Sequence, residues 1–95
     1  MALENKTFEL TIIFKNEEYH KLLDHIINSH FIVIRKEVDG WKRLAYPING
    51  QDMGYYVFYD LLERKRNDEH GRTVFTNYLN LDDDILRYLL VNVRR

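Results

Sequence analysis

A chain of 95 residues with 45% apolar and 31% charged residues has the composition of a compact globular domain. At this length it buries only ~65% of the surface its unfolded form exposes, which is enough for one modest core. Its 14 basic and 15 acidic residues leave a net charge of −1, which excludes polyanion binding driven by bulk charge and confines any RNA contact to a local patch. The absence of cysteine excludes disulfides, cysteine-ligated zinc and thiol catalysis. No apolar run approaches the ~18 residues of a spanning helix, and Met1 to Lys6 lacks the form of a secretion signal. The expectation is one soluble, intracellular domain over residues 1–95 that does not enter a membrane.

Thr7 to Phe14 alternates, with Phe8, Leu10, Ile12 and Phe14 on one side and Thr7, Glu9, Thr11 and Ile13 on the other, the pattern of a half-buried strand. Asn16 is placed to cap a helix from about Glu17 to Ser29, with Glu17 and Glu18 in the first turn where the dipole favours anions. Tyr19, Leu22, Leu23, Ile26 and Ile27 form one apolar stripe along it. Phe31 to Val38 reads as a strand, followed by Asp39-Gly40 and then Trp41 to Ile48. Two readings compete there: Asp39-Gly40 closes a tight hairpin, or it kinks one long strand whose hairpin loop is Asn49 to Gly54.

Tyr55 to Leu62 is the next strand, and the charged stretch Glu63 to Glu69 ends it. Val74, Phe75, Tyr78 and Leu79 recur at helical spacing, predicting a short helix near Arg72 to Asn80 with Gly71 as a weak element at its start. Asp82 to Asp84 form a turn before a last strand, Ile85 to Val93. With the long-strand reading, the order strand, helix, strand, strand, helix, strand is the split β-α-β or ferredoxin-like plan. That is an α+β domain with a four-stranded antiparallel sheet and two helices on one face, the first and third strands being central. Pro47 suits an edge.

Little in the chain resembles an active site. His20, His25 and His30 recur every five residues, but each such step turns the side chain by ~140° on a helix, so the three diverge and read as surface or boundary histidines. Asp82-Asp83-Asp84 lacks the spacing of a calcium loop and reads as a solvated turn. No nucleophile elbow, phosphate-cradling loop or paired acid and base is present, so no enzyme, metal or cofactor is expected.

Parity in the strands points instead to the helix-free side of the sheet. Asp60 shares its parity with Tyr56 and Phe58, which places these aromatics away from the helices and leaves Val57, Tyr59 and Leu61 for the core. In the last strand Arg87 groups with Leu89 and Val91, and Leu86, Tyr88 and Leu90 point inward. Ile13, Tyr56, Phe58, Leu89 and Val91 would then form an exposed patch that calls for a partner, or for a homodimer in isolation. A one-residue slip at a bulge would change these assignments. Lys42, Arg43 and Arg87 lie near the patch, and Arg64-Lys65-Arg66 form a second basic cluster that reads as solvated.

Leu44-Ala45-Tyr46-Pro47-Ile48, preceded by Gly40, Lys42 and Arg43 and followed by Gly54-Tyr55, resembles the signature of the bacterial small-subunit ribosomal protein six family. Phe8-Glu9-Leu10 and Leu81-Asp82-Asp83-Asp84-Ile85-Leu86-Arg87-Tyr88-Leu89 resemble two further blocks of that family in the right order. The resemblance implies the long, kinked second strand and a non-enzymatic, ribosome-associated protein in the cytoplasm or an organellar matrix. It also implies binding to small-subunit ribosomal RNA together with small-subunit ribosomal protein eighteen. RNA contact falls on Lys42, Arg43 and Arg87, and a protein-partner surface on Tyr46, Pro47, Tyr56 and Phe58. The competing expectation is a non-ribosomal module of the same fold, either a single-strand binder that stacks bases on the sheet or a homo-oligomeric small-ligand sensor.

Overall fold

The computed structural model describes residues 5–93, so most of Met1 to Lys6 lies outside the described residues. The elements are β1 (Thr7–Phe14), α1 (Tyr19–His30), β2 (Phe31–Ile48), β3 (Gln51–Glu63), α2 (Glu69–Leu81) and β4 (Ile85–Val93). Every strand pair is antiparallel and the sheet order is β2-β3-β1-β4, so the ferredoxin-like plan holds with β1 and β3 central. Among the described residues, no helix is long and apolar enough to cross a membrane.

One face of the sheet builds the core. Phe8, Leu10, Ile12 and Phe14 of β1 and Val57, Tyr59 and Leu61 of β3 are buried against Leu23 and Ile27 of α1 and Phe75 and Leu79 of α2. Phe31 joins the two halves, meeting Phe8 edge-on at 5.9 Å and Phe75 at 5.3 Å between ring centroids. Each such side chain contributes ~1.5–3 kcal/mol by leaving water, so this face dominates the stability of the fold.

The Asp39-Gly40 ambiguity resolves as a kink inside one strand. Pairing with β3 shifts register between Val38 and Gly40, and Gly40 has φ +90°, a conformation open to glycine at little cost. The hairpin loop is shorter than Asn49 to Gly54. Asn49 and Gly50 alone close it with φ +49° and +77°, the two left-handed residues that a type I′ turn needs, and β3 starts at Gln51. Because β1 pairs with β3 only from Tyr55 to Leu62, the start of β3 and the end of β2 overhang the sheet.

Other expectations need correction. Helix α1 starts at Tyr19 with Glu18 as its N-cap, so Glu17 and Glu18 precede the first turn, and Asn16 instead donates its amide to Asp84 Oδ1 at 2.9 Å. The buried stripe of α1 is narrower than the apolar pattern: His20, Leu23 and Ile27 are buried, whereas Leu22 is 63% exposed. Helix α2 starts at Glu69 because the Asp68 carboxylate accepts the Gly71 N–H at 3.0 Å, and a Cβ on Gly71 would lie only 2.7 Å from Asp68 Cγ. Gly71 therefore permits the cap rather than weakening the helix start. Its neighbours Val74 and Tyr78 face outward. In β4 a register shift between the partners of Ile13 and Phe14 turns Ile85 toward the core and moves Leu86 to the other side of the sheet. Glu63, which opens the charged stretch at the end of β3, is buried and paired with Arg72.

Candidate functional site

The helix-free face is laid out by cross-strand register. One row runs Gly40, Tyr56, Ile13, Arg87; the next runs Glu37, Phe58, Thr11, Leu89; a third runs Arg35, Asp60, Glu9, Val91. Tyr56 and Phe58 are half-buried with ring centroids 6.4 Å apart, and Lys42 Nζ lies over both rings at 5.3 and 5.9 Å. Leu89 at 62% and Val91 at 42% exposure continue the apolar surface onto β4. Of the patch inferred from parity, Tyr56, Phe58, Leu89 and Val91 are present on this face, with Lys42 as a cationic cover over the aromatics, whereas Ile13 is packed with Leu44 and Leu86.

Its charges are unequal in availability. Lys42 is ion-paired with Asp39, whose hydrogen bond raises the lysine above its ordinary pKa, so it stays cationic but already has a carboxylate partner. Arg35 is held by Asp60 at 3.2 Å and Glu37 at 3.5 Å. Arg87 is exposed and makes no ion pair with any described residue. Three strand spacings separate β2 from β4, so the backbones of Lys42 and Arg87 are roughly 14 Å apart across the sheet, with Lys42 displaced along it by a further two residues. Arg43 does not share this face: in an extended strand neighbours alternate, and Arg43 pairs with Met53 while Lys42 pairs with Gly54.

The hairpin end adds a distinct surface. Leu44 to Pro47 bulge out opposite Asp52, leaving Tyr46 77% exposed and Pro47 exposed. Leu44 turns inward instead and packs with Ile13 and Leu86 over Gly54. Tyr46 and Pro47 therefore sit on the overhang, apart from Tyr56 and Phe58 in the sheet.

Two polar clusters escaped the sequence reading. His20 is buried on the α1 stripe, stacked on Tyr55 at 5.6 Å, and its Nδ1 accepts from Lys36 Nζ at 2.8 Å. Lys36 also donates to Asp24 Oδ2 at 2.6 Å, and the Tyr59 hydroxyl donates to Asp24 Oδ1 at 2.8 Å. Burial, reinforced by the Lys36 charge, holds the His20 pKa below its ordinary value, while burial and then the Asp24 bond push the Tyr59 pKa up. The signal was the spacing of His20 from Leu23 and Ile27 on one helical face. In the second cluster Arg72 pairs with buried Glu63 and lies over Phe8 at 5.4 Å. Arg64 is not part of a free basic cluster either, since its Nε donates to the Asn28 carbonyl at 2.7 Å and so caps α1. No group of three or more His, Cys, Asp or Glu among the described residues is placed to hold a metal ion. Asp82 accepts from Tyr19 and from the Asp84 N–H, so the acidic turn is tied to the fold.

The family model described as Ribosomal protein S6 matches residues 7–92, from the start of β1 almost to the end of β4. The chain belongs to the ribosomal protein S6 family. Among its relatives, the small ribosomal subunit protein bS6 of Corynebacterium jeikeium is 30% identical over 90 residues, covering 86% of this chain and 90% of that protein. The bS6 of Phytoplasma australiense is 26% identical over 95 residues, covering 90% and 97%. The crystal structure of 30S ribosomal protein S6 from Thermotoga maritima superposes with a TM-score of 0.77 at 16% identity over 95% of this chain and 89% of that one, a likeness of fold. Ribosomal protein S6 membership accounts for the ferredoxin-like plan and for the Leu44 to Ile48 signature on β2.

Proposed function

We propose that this member of the S6 family is a structural, non-catalytic constituent of the small ribosomal subunit in the bacterial cytoplasm, where it binds small-subunit ribosomal RNA together with small-subunit ribosomal protein eighteen. The observation that carries this reading is the uncovered sheet face, where Tyr56 and Phe58 lie beneath Lys42 and, across Thr11 of β1, exposed Leu89 and Val91 follow Arg87 along β4. A surface of that kind suits a protein partner at its centre and phosphate contacts at its margins. Tyr46 and Pro47 extend the partner surface along the overhang. Arg43 leaves the opposite face of β2, so its contact would be with RNA on that side of the strand.

The test joins sedimentation to titration. The protein should co-sediment with small subunits, and absence from that peak removes the ribosomal reading. Changing Lys42, Arg43 and Arg87 together to glutamine should lower the salt slope of RNA binding, measured with protein eighteen present, by roughly 2 to 3, since each phosphate contact contributes ~0.7–0.9. An unchanged slope takes these residues out of the interface. Base preference should change little, because phosphate contacts position without reading sequence.

A further inference from the structure

The side of β2 opposite the aromatic patch carries different chemistry. There a groove of about 300 Å³ lies between the start of α1, Trp41 and the turn before β4. Its apolar surface is Tyr19, Leu22 and Trp41, with Leu22 63% and Trp41 43% exposed. Its polar lining residues are Asn16, Glu17, Glu18 and Asp84. Trp41 is fixed in place, meeting Tyr55 edge-on at 5.4 Å and directing its indole N–H at Glu17 Oε1 at 3.5 Å.

The charges in this groove are weakly compensated. Among the described residues Glu18 has only Lys21, 3.9 Å away and as exposed as itself, a pair worth little in water. Asp84 accepts from a neutral amide, that of Asn16. The helix dipole at the start of α1 adds about half a positive charge, far less than three carboxylates. Phosphate and anionic lipid are therefore repelled here. A volume at the low end of ligand pockets accommodates one or two side chains rather than a cofactor.

We infer that this groove docks an arginine-bearing basic segment of a protein partner, with the guanidinium against Trp41 and the carboxylates and its aliphatic stem over Leu22. Tryptophan is the strongest cation–π partner among side chains, and a guanidinium is more weakly hydrated than an ammonium and matches carboxylates with a planar fork. The stem of a long basic side chain covers apolar surface while its head stays polar. The groove lies on the other side of the sheet from Tyr56, Phe58, Lys42 and Arg87, and of the residues proposed above to contact RNA only Arg43 shares its side, so occupancy of the groove leaves the aromatic face free.

Trp41 is the only tryptophan in the chain, so its emission reports on this site. The probe is a short blocked peptide of alternating arginine and leucine, titrated into the whole protein beside its lysine and glutamine counterparts and beside spermidine. The expected result is a saturable change in emission that is strongest for the arginine peptide and weakens as salt rises. Glu17→Gln with Glu18→Gln should reduce the affinity about tenfold, the effect of two screened carboxylate contacts. Leu22→Ser, at an exposed position that does not threaten folding, should also weaken it. Because the glutamate variant alters the surroundings of the indole, its binding is read in parallel from backbone amide shifts in α1. No saturable change, equal binding of the glutamine peptide, equal binding of spermidine, or unaltered affinity in both variants would each overturn the assignment.

Discussion

His20 shows how a residue type misleads when its position on a helix is ignored. Three histidines at a spacing of five read as surface or boundary groups, and His25 is indeed exposed, yet His20 shares the face of Leu23 and Ile27 and is buried with them. Accepting a hydrogen bond from the Lys36 ammonium requires a lone pair on Nδ1, so the ring is neutral in the fold. Its pKa is lowered on folding, by burial first and by Lys36 second. The unfolded chain therefore binds the proton more readily. Stability from this site is complete above the ordinary histidine pKa of ~6.5 and is lost as pH falls toward the lowered value. Urea denaturation from pH 7 to pH 5, above the ordinary carboxylate range, should show stability falling with acid at a slope below ~1.4 kcal/mol per pH unit. In His20→Gln, which keeps an acceptor for Lys36, that dependence should flatten. An equally steep profile in the variant would place the titration elsewhere.

At the scale of elements, what was legible in the residues was whatever repeats. The period-two run of β1 and the apolar spacing of both helices place the elements and most of the core, because burial on one face imposes those periods. Boundaries and bulges are local and irregular, so they were less visible. The Asn49-Gly50 turn was concealed by the glycine at position 54, which looked like a loop residue but is buried within β3. Its actual role is steric: a Cβ there would run into Ile13 Cγ2 and lie 3.2 Å from Leu44 Cδ2 and 3.7 Å from Leu86 Cδ1. These three side chains close over the glycine and tie the overhang of β2 to β1 and β4. Gly54→Ala should therefore destabilise by about 1–3 kcal/mol, as overpacking does. Ile13→Ala should cost less on that background than alone, since both changes act on one contact. Additive effects in the denaturation midpoints would show that the crowding is relieved some other way.

The same irregularity decides which parts of the candidate site the residues could reveal. Tyr56 and Phe58 were assignable because Asp60 fixed their parity on a regular stretch of β3. Leu86 was misplaced because the β4 register slips beside Phe14, and Lys42 and Arg43, adjacent in sequence, leave opposite faces of β2. The pairing of Lys42 with Asp39 depends on the kink at Gly40, which no periodic pattern encodes.

For the whole molecule, 50 × 24 × 22 Å in extent, the sheet separates two tasks. The helix side holds the apolar core and the buried Glu63–Arg72 pair, where removing one partner would cost ~3–5 kcal/mol by stranding the other charge. The open side holds Tyr56 and Phe58, whose rings touch each other and Lys42 but are not members of the core cluster. Changing both to serine should lower fold stability by about 1 kcal/mol per site, from lost strand propensity and cross-strand packing. If the open side carries the partner interface, the same change should cost association with protein eighteen ~2 kcal/mol or more per site, because aromatics near the centre of an interface act as anchors. Chemical denaturation of the isolated double variant and a binding titration at a temperature where it remains folded measure the two costs separately. A binding loss no greater than the folding loss would move the interface away from these aromatics and toward Tyr46 and Pro47 on the overhang.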